Sequence, residues 1–258
     1  MEQGNVASGY ATQPALNNTG APPLNEFERV TKVFYEPSKT FADLRRNAMW
    51  IVPFVLMIIF SVVYVASVSK KVGWEQVVEN GYKVMPPSQL EKIQSAPPEQ
   101  QAAQRTGILN FYRYFSYGFP LIILVFNLVG AAIYLAVMNF GFGSHLRYKE
   151  LLALMFYAGL PQLISTAIAI VGVWSFIDPQ EFQMRTPIAS NPATFMDAVG
   201  HPFLYAFSAN FDLFALWTTV LIGIGLAVLA KKSLGTGMAV AFGLLILRAV
   251  VVSLPSLM

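Results

Sequence analysis

YFSYGFPLIILVFNLVGAAIYLAVMNFGFGS, residues 114–144, holds no Asp, Glu, Lys, Arg or His. A helix rising 1.5 Å per residue needs about 20 residues to cross a hydrocarbon core of about 30 Å, so a run this long and this apolar reads as a membrane span. A soluble helix would need a polar face at helical period, and this stretch has none. Two more gaps of the same kind lie between Arg46 and Lys70 and between Glu150 and Asp178. The 258-residue chain is 55% hydrophobic and only 12% charged, against about 25% charged in an ordinary soluble domain. Charge is both scarce and segregated.

Working outward from that run, the sequence predicts five spans: about 48–68, 116–138, 151–177, 203–230 and 235–257. Trp50 sits at the entrance to the first, Gly159 and Pro161 predict a kink in the third, and Lys231-Lys232 end the fourth. The fold class is therefore all-α: a polytopic membrane protein, a five-helix transmembrane bundle with short amphipathic and extracytoplasmic helices. Residues 1–24 carry almost no large apolar side chains, so they read as a disordered tail before a membrane domain over 25–258. The tail also lacks the basic start and short apolar stretch of a cleavable signal, which leaves the first span as an anchor.

Between tail and first span, Phe27, Val30, Val33 and Phe34 recur at three- and four-residue spacing beside Glu26, Glu28, Arg29 and Lys32. This is an amphipathic helix that Pro37 interrupts; Ser38 is placed to cap a second, continued by Phe41 and Leu44. Two readings stay open for it. It can lie in the headgroup plane with its phenylalanines submerged, or it can pack on a neighbouring loop. The hydrophilic stretch 69–114 contains a Ser88-x-x-Glu91 capping-box pattern and the pairs Pro86-Pro87 and Pro97-Pro98, and so predicts two or three short surface helices.

The net charge of +3 reflects Lys and Arg flanking the spans and does not point to nucleic acid. With the N-terminus inside, the inner segments hold Arg29, Lys32, Lys39, Arg45, Arg46, Arg147, Lys149, Lys231 and Lys232, while the short outer link carries Arg185 against Asp178, Glu181 and Asp197. The long loop, with Lys70 and Lys71 beside a span, works against this bias without reversing it. N-terminus cytoplasmic and C-terminus outside is the expectation.

Chemistry-bearing residues are few. There is no cysteine, which removes disulfides and thiolate catalysis. No HExxH, Gly-x-Ser-x-Gly or Gly-Lys-Ser/Thr phosphate-loop pattern occurs, and His145 and His201 stand at opposite ends of spans without a second ligand at metal spacing. No enzyme, cofactor or metal site is expected. The sharp signals are polar residues inside apolar runs: Asn127, Gln162, Asn210, Asp212 and Arg248. Each costs free energy in hydrocarbon unless a partner satisfies it. One reading makes them a proton or ion relay; the other makes them hydrogen-bonding glue between helices, with Arg248 reaching for the interface. Two rows of small residues, Ala215, Thr219, Gly223 and Ala227, then Gly235, Ala239 and Gly243, predict a closely packed helical hairpin, or contact with a second copy. On ideal helices Asp212 lies on the first row but Arg248 lies opposite the second, which disfavours a direct pair.

Three segments resemble the bacterial branch of the Yip-type (Yip-one domain, Rab-interacting-like) membrane proteins: VFYEPSKTF at 33–41, YKELLALMFYAGLP at 148–161, and DLFALW at 212–217 running on to GIGLA at 223–227. The resemblance covers about 28–258, excepting the long loop. It implies five spans, a cytoplasmic N-terminus, the inner membrane of a bacterial cell, and no established catalytic residues. Eukaryotic relatives contact small GTPases in membrane traffic, but no GTPase-binding motif is found in the tail or the loop. The expected function is a non-enzymatic, membrane-organising scaffold. Its expected partners are the lipid bilayer and an unidentified membrane or cytoplasmic protein, with a homo-oligomer possible and no nucleic acid. The alternative is a small transporter or channel built on Asp212, Arg248 and Asn127.

Overall fold

The computed structural model describes residues 22–85, 87–184, 186–198 and 200–257. The tail expected over 1–24 falls, through residue 21, outside the described residues. The rest is helical, with no strand among the described residues, and five helices are long and apolar enough to cross a membrane.

The chain opens on α1 (Glu26–Lys32) and α2 (Pro37–Leu44). Asn25 caps α1: its side chain accepts from the Glu28 N–H at 2.9 Å while the Glu28 carboxylate accepts from the Asn25 N–H at 3.0 Å. Ser38 does not cap α2, because Pro37 already occupies the first helical position and Glu36 stands at the N-cap. Proline suits that position, where its missing N–H is one no helix would use. α3 (Ile51–Lys71) is the first span. α4 (Trp74–Lys83) and α5 (Pro87–Gln94) follow. Ser88 is the second residue of α5, inside the helix, so the Ser88/Glu91 pattern is not a cap.

α6 (Pro98–Ala136) departs from the expected start of the second span at 116. The segment 98–115, read as loop, is the first half of a 39-residue helix about 58 Å long. Pro98 starts it, and a run of Glu, Gln and Ala, all good helix formers, gives it no reason to stop before the apolar part begins. A π turn, Val137–Gly141, ends it. The Asn139 side chain then bonds both the N–H and the C=O of Leu146, at 3.0 and 3.1 Å, and closes the link to the next helix.

The third span is two helices, α7 (Tyr148–Ala158) and α8 (Pro161–Ser175), separated at Gly159 and Leu160. The fourth expected span is also divided. α9 (Pro202–Ser208) ends where the Asn210 amide donates back to the Ala206 and Phe207 carbonyls. Asp212 then starts α10 (Leu213–Ala230), accepting from the Phe214 and Ala215 N–H groups at 2.8 and 2.9 Å. A tight turn through Lys231, left-handed at φ 53°, leads to Ser233, which caps α11 (Leu234–Ser253).

Side chains pack in two clusters. The larger surrounds α7, whose residues from Leu151 to Ala158 are all buried except the partly buried Met155, beneath α2, α3, α6 and α10. Trp50, Phe54 and Phe156 form its aromatic knot, with ring centroids 5.1 to 5.7 Å apart. The smaller lies at the far end of α3, where Val65, Val68, Trp74, Val77, Val173 and Phe182 meet. Asn80 fastens that end: its side-chain amide donates to the Pro179 and Phe182 carbonyls, both at 2.8 Å. Asn80→Ala would leave two carbonyls without this donor. The expected cost is about 1–3 kcal/mol, read as a lower unfolding midpoint in detergent and faster protease cleavage between residues 178 and 184.

Candidate functional site

Arg29 is the largest fully buried side chain among the described residues, at 1% exposure. α1 and α2 fold back on each other so that its guanidinium meets Asp43, with Nε at 2.9 Å and Nη2 at 2.6 Å from the same carboxylate oxygen. Its third nitrogen, Nη1, reaches Glu26 Oε1 at 2.8 Å. The other Glu26 oxygen accepts a short hydrogen bond from the Tyr157 hydroxyl on α7. Two entry helices and the third span are thus joined through one guanidinium. Burial works against the Arg29 charge, but the Asp43 hydrogen bond and the nearby carboxylates outweigh it and hold the group charged, above its ordinary range. A buried charge with fewer partners would not be tolerated.

Apolar contacts seat the same hairpin. Val33, Phe41 and Leu44 are fully buried, and Phe34 meets Trp217 of α10 edge to face at 5.7 Å. Of the two readings for this segment, packing against protein describes its inner face, and the protein concerned is the helical bundle itself. A second charged clamp lies below. Arg147 donates to Glu150 at 2.6 and 3.0 Å and to the Arg45 carbonyl at 3.0 Å, tying the end of α2 to the start of α7. Glu150 is buried, and its hydrogen bond and charge hold Arg147 above its ordinary range. None of Arg29, Asp43, Glu26 and Tyr157 stands out in the sequence as a site residue.

The five polar candidates are not brought together. The Asn127 amide donates to the Ile123 carbonyl of its own helix at 2.8 Å. Asn210 and Asp212 serve the ends of α9 and α10. Gln162 is the second residue of α8, just after the break at Gly159. Arg248 is exposed on α11 and forms no ion pair among the described residues. It stands 11 residues beyond Gly237, and Asp212 stands 11 residues before Gly223. The close Gly237–Gly223 contact therefore puts them at one level of an antiparallel hairpin without joining them. His145 is exposed in the α6–α7 link and His201 precedes α9; no three His, Cys, Asp or Glu residues among those described converge on a metal position.

The hairpin forms, though not through both expected rows. Gly223 and Ala227 face α11. On α11 the buried residues are Gly237, Val240, Ala241, Ala249 and Ser253, whereas Gly235, Ala239 and Gly243 are exposed. A Cβ on Gly237 would lie 2.1 Å from the Gly223 carbonyl oxygen, while one on Gly243 would meet open space. The row that looks like a packing face is the outward one.

A family model, the Yip1 domain, matches residues 31–254. The chain belongs to the Yip1 domain family. No curated protein and no solved structure matches it. The match takes in both partners of the Phe34–Trp217 contact and half of the charge cluster, Asp43 and Tyr157, while Glu26 and Arg29 lie just before its first residue. As a Yip1-family chain with five apolar helices of spanning length, this is a multi-pass membrane protein.

Proposed function

We propose that this Yip1-family protein is a non-enzymatic membrane scaffold, and that it meets its protein partner through the outward side of the α1–α2 hairpin. The observation behind the reading is the two-sidedness of that hairpin. Its inner side is welded to the bundle through Arg29, Asp43 and Tyr157. Phe27 is 78% and Tyr35 65% exposed, and Lys39 and Arg46 on the same hairpin are exposed as well. A segment held this rigidly need not be ordered again on binding, so little conformational entropy is lost when a partner docks. The Lys and Arg distribution supports a cytoplasmic hairpin in a cell membrane, with the C-terminus outside.

The test is photo-crosslinking in native membranes from an unnatural amino acid at Phe27 or Tyr35, with Val251 on the exposed side of α11 as the control. Both hairpin positions are expected to capture the same protein, absent from the control. Adducts to lipid alone, or the same protein from all three positions, would overturn the docking surface. A reporter placed after Lys71 should be active outside and one after Lys149 inside; the same side for both would overturn the topology.

A further inference from the structure

At the end of the bundle remote from the entry hairpin, α3 closes on Lys70 and Lys71 and α8 closes on Trp174 and Ser175. α3 is 21 residues, about 31 Å, so its last residues stand at a bilayer surface when its first ones stand at the other. Both ammonium groups sit over the same indole: Lys71 Nζ is 4.4 Å and Lys70 Nζ 5.6 Å from the Trp174 ring centre. Neither forms a salt bridge among the described residues. An open groove of about 490 Å³ lies beside Lys71 and the indole that both lysines share. Lys71, Trp174, exposed Phe176 and Asp178 line it. One Asp178 oxygen accepts from the Gln180 N–H at 2.9 Å and so is held in place.

We propose that this groove is the headgroup site of an aminophospholipid. Its phosphate meets Lys71, with Lys70 over the same indole adding positive charge, its ammonium meets Asp178, and its upper acyl carbons lie along Trp174 and Phe176. A cation and a carboxylate lining one groove are the complement of a phosphate and an amine. The level of the groove selects lipid as the occupant, because headgroups are the medium there. The lysine stems run up from the apolar part of α3, as is usual for cations that reach the interface from a span.

The test uses the full chain purified in detergent, with the unfolding midpoint followed as single lipids are added. Phosphatidylethanolamine is expected to raise the midpoint by several degrees more than phosphatidylcholine, which has the same charges but no N–H donors. Lys70→Gln with Lys71→Gln should remove that increment. Asp178→Asn should bring phosphatidylethanolamine down to the phosphatidylcholine level. All three side chains are exposed, so these variants should fold. Equal stabilisation by both lipids, an increment that survives the double lysine variant, or an equal effect from inorganic phosphate would each overturn the proposal. A larger effect from phosphatidylglycerol would overturn it too.

Discussion

Arg29→Met is expected to cost about 3–5 kcal/mol, the range for removing one partner of a buried ion pair. The variant keeps the volume of the side chain but leaves the Asp43 carboxylate without the two N–H groups that held it and Glu26 without its Nη1 donor. A protein of ordinary stability, about 5–15 kcal/mol, loses a large share of it. The reading is the unfolding midpoint in mixed micelles, together with protease sensitivity between Lys32 and Arg46, since the hairpin should be released before the bundle unfolds. The double variant Arg29→Met, Asp43→Leu separates charge from packing. Removing both charges leaves no unpaired carboxylate at that position and should recover most of the loss. A single variant that costs under about 1 kcal/mol would mean that water already reaches the cluster and that the hairpin is not welded by it.

Gly237→Val is expected to open the α10–α11 hairpin. A first carbon at this position would lie 2.1 Å from the Gly223 carbonyl oxygen and 3.0 Å from the Ala227 nitrogen. Both are main-chain atoms, so no rotamer change relieves the overlap, and the helices must separate along much of their length. Loss of such a close approach removes van der Waals contact, the main attraction between helices in lipid. A cost at or above the usual overpacking range of about 1–3 kcal/mol follows. Gly243→Ala is the internal control: its added carbon meets nothing, so stability should hold or rise slightly. Equal losses at both positions would contradict the assigned contact face.

Much of this architecture could be read before any coordinates. The uncharged runs marked the spans because water and hydrocarbon impose opposite rules on charge, and Gly159 with Pro161 marked the break because neither residue favours an uninterrupted helix. What escaped reading had a common cause: it depended on which neighbour a residue faces. Arg29 falls on the charged side of its amphipathic turn, and the default for such a side is solvent. Only the fold brings Asp43, 14 residues on, and Tyr157, from another span, to cover it. The family resemblance pointed to 148–161, which contains Tyr157, without naming the charged members of the cluster. Asn210 and Asp212 looked like buried polar residues because they lie within the apolar run 203–230; their side chains are the type that end and begin helices. On α11 two faces carry small residues, and the Lys231 turn decides which one meets α10.

The contacts of the entry hairpin also dictate an order of assembly. Glu26 waits for Tyr157, 131 residues downstream, and Phe34 waits for Trp217. The ribosome delivers the hairpin first, yet its seat exists only after the third and fourth spans have entered the membrane. The entry hairpin therefore finds its place only after most of the bundle is made, and until then its buried cation and its phenylalanines stand open to whatever escorts the nascent chain.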